Sequence, residues 1–387
     1  MRRGTPGGSG VGCARPRCGA FDTVRALALS LAVAVGILTA GACRPGRPAA
    51  PAGVVPGWLS QAGGFGAPAW SCDGSRIAAY VQGQEREQLA VVAVSTRRVR
   101  VVDTGRSFGV ESGGSPAWSP KGMQIAYVKE PMLSVTGVIA TGPPPPEELV
   151  VADVTTGQRR SLPLASAAAQ SPCWSPDERQ VAFLSQNARG APTLSVAAVG
   201  PPLQAVRSVG CPFEVFGFRW PTGETCAIVG AARLAGAGSE LVRIGLRTGA
   251  WDRITSCGGV SPWGWSEGAE GSYCIWQELG KRIALARWDP RAKEALPLLT
   301  LDKKAFRPSI YASWTRDCRR AAIVGGGSLW LYDARSGSLR RATRGPQDSH
   351  PCWSPDGAKI AFVRDYRTVV IMDADTGGSQ MAMSLGK

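Results

Sequence analysis

Hydrophobic and polar residues alternate in short runs along most of the chain, and the arrangement of these runs repeats. An apolar run, a polar turn and a second apolar run form the basic pattern, as in HPCWSPDGAKIAFV from His350. Similar segments start at Ala67, Ser115 and Ser171, and weaker ones at Gly217, Trp263 and Ala312. A third and a fourth run follow in the clearer copies, for example Val369–Asp373 and then the residues after Gly377. Short alternating runs separated by turn residues predict strands, and four of them make one small antiparallel sheet.

One tryptophan marks each copy of the pattern. The seven are Trp70, Trp118, Trp174, Trp220, Trp265, Trp314 and Trp353. Their separations range from 39 residues (314 to 353) to 56 residues (118 to 174). A repeat of this length with four strands per copy is typical of a β-propeller blade. The sequence therefore predicts an all-β protein, a seven-bladed propeller of four-stranded antiparallel blades, or six blades if the degenerate unit around Trp265 is not one.

The repeated motif has a mechanical interpretation. Ser354-Pro355-Asp356-Gly357 places Ser, Pro and Gly at the positions that they favour in a type I turn, so each motif predicts a tight hairpin. A blade has two apolar faces and is not stable alone. A large aromatic at one fixed strand position lets neighbouring blades pack on it, which makes the seven indoles the expected core between blades.

The motif resembles the repeat of TolB-type β-propellers, whose pattern runs Pro-x-Trp-Ser-Pro-Asp-Gly-x-x-Ile-Ala-Phe. The resemblance implies a TolB-like propeller over residues 67–387. TolB carries a small α/β domain before its propeller, and the short stretch between Cys43 and Ala67 has no room for one.

The N-terminal residues have a different character. An uncharged apolar run, Ala26–Ala42, follows five arginines, which predicts that residues 1–42 are a signal peptide or a membrane anchor. Ala40-Gly41-Ala42-Cys43 resembles a bacterial lipobox, which implies lipidation at Cys43. Residues 43–66 would then be a linker. Both alternatives predict an exported protein, periplasmic or extracellular, held at the membrane by a lipid or by the N-terminal anchor.

The amino-acid composition limits which metal sites, ligands and disulfides the chain can have. One histidine in 387 residues argues against metal sites built from several histidines, so no metal and no cofactor are expected. The net charge of +15 is carried by scattered arginines, which gives no reason to expect nucleic acid binding but is compatible with an acidic polymer or partner. The eight cysteines after Cys43 contain no Cys-x-x-Cys pair, so buried thiols and disulfides both stay open.

Two function classes follow. No Gly-x-Ser-x-Gly elbow with a late histidine is present, so no catalytic residue is assigned, and the prediction is a monomeric, non-catalytic binding scaffold of the cell envelope that contacts an envelope protein or acidic polymer. The alternative is a glycan-active or small-molecule-binding propeller that uses carboxylates around its channel. His350 and Tyr311 are the candidate residues at the channel mouth. Seven arginines between Arg316 and Arg344 are either a patch for an acidic partner or a solvated edge.

Overall fold

The computed structural model places twenty-nine strands, β1 to β29, in the part of the chain that it describes. The described residues are 64–82, 87–105, 108, 115–129, 147–164, 169–187, 191–261, 264–268, 272–306, 311–345 and 347–384. The predicted signal or anchor segment 1–42 and the candidate lipid site Cys43 lie outside them. No helix within these ranges is long and apolar enough to cross a membrane.

The strands form seven antiparallel sheets, each made from consecutive strands. The first three blades contain β1 (Gly64–Phe65), β2 (Ala69–Trp70), β3 (Arg76–Gln82), β4 (Glu87–Ala93) and β5 (Val99–Gly105); β6 (Ala117–Trp118), β7 (Gln124–Lys129), β8 (Glu148–Asp153) and β9 (Arg159–Pro163); and β10 (Gln170–Trp174), β11 (Gln180–Gln186), β12 (Pro192–Ala198) and β13 (Gln204–Gly210). The fourth and fifth contain β14 (Glu214–Arg219), β15 (Ala227–Leu234), β16 (Gly238–Gly245) and β17 (Trp251–Arg253); and β18 (Ser266–Glu267), β19 (Tyr273–Leu279), β20 (Arg282–Asp289) and β21 (Glu294–Asp302). The last two contain β22 (Tyr311–Trp314), β23 (Arg320–Gly325), β24 (Ser328–Asp333) and β25 (Ser338–Arg341); and β26 (Asp348–Trp353), β27 (Lys359–Arg364), β28 (Thr368–Asp373) and β29 (Ser379–Ser384).

The predicted fold class is confirmed: the molecule is an all-β propeller with seven blades and four-stranded antiparallel sheets. The degenerate unit around Trp265 is a blade, although its inner strand β18 has only two residues, so the six-bladed alternative is wrong. The first blade differs from the others because the short strand β1 also pairs with β3.

The hairpin turn of the motif is held by its own polar side chains. Gly357 N–H donates to Ser354 O at 2.9 Å, and the Ser354 hydroxyl donates to Asp356 at 2.6 Å and accepts from Lys359 N–H at 2.8 Å. Gly357 has φ +69°, which a residue without a Cβ adopts without strain. The turn therefore joins the inner two strands of a blade with few exposed backbone groups.

The hydrophobic core lies between blades rather than within them. The second strand of each blade is almost wholly buried, as in Val181–Leu184 of β11, because both of its faces meet a neighbouring sheet. One cluster joins the first and last blades and includes Trp70, Ala79, Ala361 and Met383. The ring thus closes by packing, with each blade formed from its own continuous stretch of chain.

Candidate functional site

The seven predicted core tryptophans are all buried, with exposed fractions between 4% and 8%. Five indole N–H groups each donate a hydrogen bond to the preceding blade. The acceptor is the backbone carbonyl of the residue just before the tryptophan of that preceding blade. The bonds are Trp70 to Cys352 (3.0 Å), Trp118 to Ala69 (2.9 Å), Trp174 to Ala117 (3.0 Å), Trp220 to Cys173 (3.0 Å) and Trp353 to Ser313 (3.0 Å). These five bonds, called the tryptophan belt below, join the inner strands of neighbouring blades around the central channel.

The belt is incomplete at the fifth blade. The pattern would place the acceptor for Trp314 at Gly264, yet the buried Nε1 of Trp314 has no partner among the described residues. The inner strand at this joint, β18, pairs with β19 through only two residues. The joint between the fifth and sixth blades therefore lacks the hydrogen bond that five of the other joints use.

The inner strands surround a cavity of about 720 Å³ in the channel, lined mainly by the fourth to seventh blades. Its charged lining residues are Arg219, Arg316 and Glu267. Both arginines are exposed, and neither guanidinium makes a hydrogen bond or ion pair to another described residue. Two unpaired guanidinium groups against one carboxylate give this cavity a net positive charge.

Arg219 is the last residue of β14, and its guanidinium lies 5.2 Å from the centre of the Trp265 ring. Its charge reaches the seventh blade: burial raises the pKa of the Cys352 thiol, and the Arg219 charge opposes this rise. Burial likewise raises the pKa of Cys72 in the first blade, where the Arg316 charge opposes it. Each cation therefore influences a thiol in another blade.

Glu267 is the one carboxylate in the cavity lining. Its Oε2 accepts hydrogen bonds from Thr222 N–H (3.0 Å) and from the Thr222 hydroxyl (3.1 Å), which orient it towards the fourth blade. A pair of inward carboxylates, which two-carboxylate glycoside hydrolysis needs, is not found in this lining.

His350 and Tyr311, the candidates for the channel mouth, both line the cavity, and their rings lie 4.4 Å apart. A bulge between Ser349 and Cys352 gives His350 a φ of 50°, which turns its side chain out of the regular alternation of β26. Burial lowers the pKa of His350, and its buried Nδ1 has no partner within the described part of the chain. The imidazole is therefore neutral near pH 7 and can accept a proton.

The arginines that were considered as one patch between residues 316 and 344 are divided by the structure. Arg316 lines the channel, whereas Arg320 pairs with Asp375 (2.9 Å) and Arg341 donates to Thr343 O (3.0 Å) and to Ser328. Some of these arginines therefore bind other residues of the chain and do not belong to one free surface patch.

The sequence alone does not single out Arg219, and it offers Arg316 only as one of seven arginines in a possible patch, yet the repeat contains a signal for each. Arg219 precedes Trp220, where other copies have a small residue such as Ala69, Ala117 or Cys173. Arg316 occupies the turn position that is proline in several copies, as at Pro355. A long, charged side chain at a position that holds a small or apolar residue in the other copies is a departure from the repeat.

Comparison with known proteins extends this description. No protein-family model and no curated protein sequence matches the chain. Oligogalacturonate lyases are among the solved structures with the same fold, and the one in complex with manganese has a TM-score of 0.56 and 12% identity over 81% of this chain and 86% of its own. The β-propeller domain of the trilobed protease from Pyrococcus furiosus, described as having an open velcro topology, also has a TM-score of 0.56, with 12% identity over 84% and 99%. TolB from Acinetobacter baumannii gives a TM-score of 0.45 and 16% identity over 75% and 66%.

The comparison corrects the predicted function. The prediction of a non-catalytic scaffold rested on the lack of catalytic motifs and on the resemblance to TolB, but the likeness to the lyase covers 86% of that enzyme's chain, so an enzyme can consist almost entirely of this fold. The interpretation as a non-catalytic scaffold is therefore wrong. At these identities the likeness itself establishes the fold alone.

A manganese site like the one that the lyase's description implies does not fit the residues here. No group of three or more His, Cys, Asp or Glu side chains in the described ranges could hold a metal ion. The cavity offers one imidazole and one carboxylate, and the carboxylate is already bound to Thr222.

Proposed function

We propose that the chain is a glycan-active propeller that binds an acidic sugar chain in its central cavity. The observation that carries the proposal is the pair of unpaired arginines, Arg219 and Arg316, in one cavity with a neutral imidazole. Guanidinium groups bind carboxylates through paired, charge-assisted hydrogen bonds, and they are the main charged groups of this lining. The similarity of shape to oligogalacturonate lyases, which act on a polymer of acidic sugars by name, supports the same class of ligand.

The size of the site suits more than one sugar unit. A second groove of about 610 Å³ shares Thr222, Glu267, Arg316 and Pro355 with the cavity and continues it towards the turns of the sixth and seventh blades. A chain could therefore lie with one residue in the channel and its neighbours along the groove. Aromatic rings in the cavity, such as Tyr311, supply flat apolar surface for a sugar ring.

The chemistry that fits these groups is elimination next to a carboxylate. Arginines that neutralise the sugar carboxylate make the hydrogen on the neighbouring carbon more acidic, and neutral His350 accepts that proton. The electron pair of the broken C–H bond forms a carbon–carbon double bond, and the glycosidic oxygen leaves with the electrons of the C–O bond and takes a proton from water. No second carboxylate is required, in agreement with the single glutamate of the lining.

The first prediction concerns the arginines. We expect Arg219→Gln and Arg316→Gln each to weaken binding of oligogalacturonate by about 10- to 100-fold, because each removes one charge-assisted contact. Titration calorimetry would measure this, with a neutral malto-oligosaccharide of the same length as the ligand control. Arg247→Gln is the matched protein control, since Arg247 is also exposed but lies in the turn between β16 and β17.

Turnover is read from the ultraviolet absorbance of the unsaturated product. We expect the absorbance to rise with the wild-type protein. With His350→Asn it should stay at background while binding persists. Binding without any absorbance change would contradict the proposed elimination. Equal affinity for the acidic and the neutral oligosaccharide, or an equal effect of Arg247→Gln, would contradict the proposed ligand class.

A further inference from the structure

Two cysteines from different blades meet at the joint where the tryptophan belt is incomplete. Cys274 lies on β19 of the fifth blade and is 1% exposed, and Cys318 lies in the hairpin turn after β22 of the sixth. Each thiol shifts the pKa of the other, and Cys274 Sγ lies 3.8 Å from Cys318 O. Cys318 Sγ lies 3.9 Å from the carbonyl of Ser266, the residue paired with Cys274 across the β18–β19 register.

The backbone at Cys318 is unusual for a residue with a side chain. Five blades use the same turn, closed by a hydrogen bond from its fourth residue to its first. The fourth residues have φ between 56° and 72° and are Gly74, Gly122, Glu178, Cys318 and Gly357. The left-handed conformation is unfavourable for any residue with a Cβ. A cysteine at this position therefore carries a local conformational cost.

The other non-glycine residue at this turn position shows what such a side chain can do. Glu178 reaches the preceding blade, where its Oε1 accepts a hydrogen bond from Lys121 N–H at 2.6 Å. Cys318 reaches the preceding blade in the same way, and the groups that it meets are Ser266 O and the thiol of Cys274. Both side chains link two blades from a position that favours glycine.

We propose that Cys274 and Cys318 are a redox pair that forms a disulfide bond between the fifth and sixth blades. This bond would take the place of the hydrogen bond that Trp314 lacks at the same joint. It would also tie the turn that carries Arg316 to β19, which pairs with the strand that carries Glu267. The inference does not depend on the proposed glycan activity.

The chemistry needs an oxidant, and a small-molecule disulfide of the glutathione class supplies it. The Cys318 thiolate attacks the disulfide and releases one thiolate, which leaves a mixed disulfide on Cys318. Deprotonated Cys274 then attacks the Cys318 sulfur and expels the second thiolate. Two protein thiols lose two protons and two electrons, and the oxidant becomes two thiols.

The surroundings favour Cys318 as the attacking residue. It lines an open cleft of about 1030 Å³ together with Arg287 and Arg319, whereas Cys274 is buried. The thiol of Cys274 lowers the pKa of Cys318, and the basic cleft attracts an anionic oxidant.

The second prediction is a specific crosslink. We expect the full chain, incubated with oxidised glutathione, to yield a peptide that links Cys274 to Cys318, detected by mass spectrometry after non-reducing digestion and lost on reduction. Trypsin with Glu-C is the suitable protease pair, because Glu267 and Glu270 separate Cys274 from Cys257. The bond should raise the melting temperature by about 3 to 8 °C.

Cys318→Gly is the decisive variant, since it restores the residue of the other turns and keeps the fold. It should melt at or slightly above the reduced wild type and gain nothing from the oxidant. Cys211→Ser, which removes a buried thiol of the third to fourth blade connection, should keep the crosslink and the gain. Absence of the linked peptide at every glutathione ratio, or an oxidant-dependent gain that persists in Cys318→Gly, would overturn the proposal.

Discussion

At the scale of single residues, surroundings rather than residue type decide what the channel groups can do. His350 combines a left-handed backbone, a neighbouring tyrosine ring and a buried Nδ1. Burial disfavours its charged form, so its pKa in the folded protein lies below the ordinary value of 6.5. The same imidazole on a solvated loop would be partly protonated near neutral pH.

The third prediction follows from this pKa. Below about pH 6.5 the unfolded chain binds a proton at His350 that the folded protein does not, so the free energy of unfolding should fall as the pH is lowered from there towards the folded pKa. Urea unfolding between about pH 7.5 and pH 5 would measure the slope. His350→Asn is the comparison, because asparagine also tolerates the left-handed backbone. An identical slope in both proteins would refute the assignment.

At the scale of elements, the hairpin turns depend on residues that accept a positive φ. Gly223 has φ +75° with open space around its Cβ position, so only the backbone opposes a side chain there. Gly210 also has open space but no positive φ. The two positions therefore differ in backbone angle and not in crowding.

The fourth prediction compares these glycines. Gly223→Ala should lower the free energy of unfolding by about 1 to 2 kcal/mol, since a Cβ in the left-handed region costs that much. Gly210→Ala should change it little or raise it slightly, because alanine restricts the unfolded chain. Denaturant titration of both variants is the measurement, and equal effects would show that the backbone angle is not the cause.

At the scale of the whole molecule, the ring is held by contacts between blades that are far apart in sequence. The first and last blades share a hydrophobic cluster and the bond from the Trp70 indole to Cys352 O, across 282 residues. Closure therefore orders the channel, and the channel residues of the fourth, sixth and seventh blades meet only in the closed ring.

The fifth prediction tests the belt. Trp70→Phe removes the hydrogen bond to Cys352 O, whereas Trp314→Phe removes an N–H that has no partner among the described residues. Both lose the same indole volume, so the difference in their free energies of unfolding should be about 1 to 2 kcal/mol, with Trp70→Phe the less stable. Chemical denaturation would measure it. A larger loss for Trp314→Phe would contradict the role given to the bond.

The sequence was sufficient to predict the repeat, the strands and the number of blades. Strand alternation and turn chemistry are local properties, and a side chain's face follows from its place in a strand of period two. Local sequence likewise determines two further features of the repeat. These are the small residues before most of the tryptophans and the glycines of the turns. For this reason the departures at Arg219, Arg316 and Cys318 could be seen in the sequence without their meaning being clear.

Only the tertiary structure decided what those departures face. Arg219 and Arg316 are far apart along the chain and share a cavity because the ring closes, and Cys274 meets Cys318 because adjacent blades pack face to face. Similarly, the repeat gives no sign that the Trp314 indole lacks an acceptor while that of Trp70 has one. Contacts between blades depend on the angle and distance at which whole sheets pack, and these are set by the summed packing of many side chains and by no short segment of sequence.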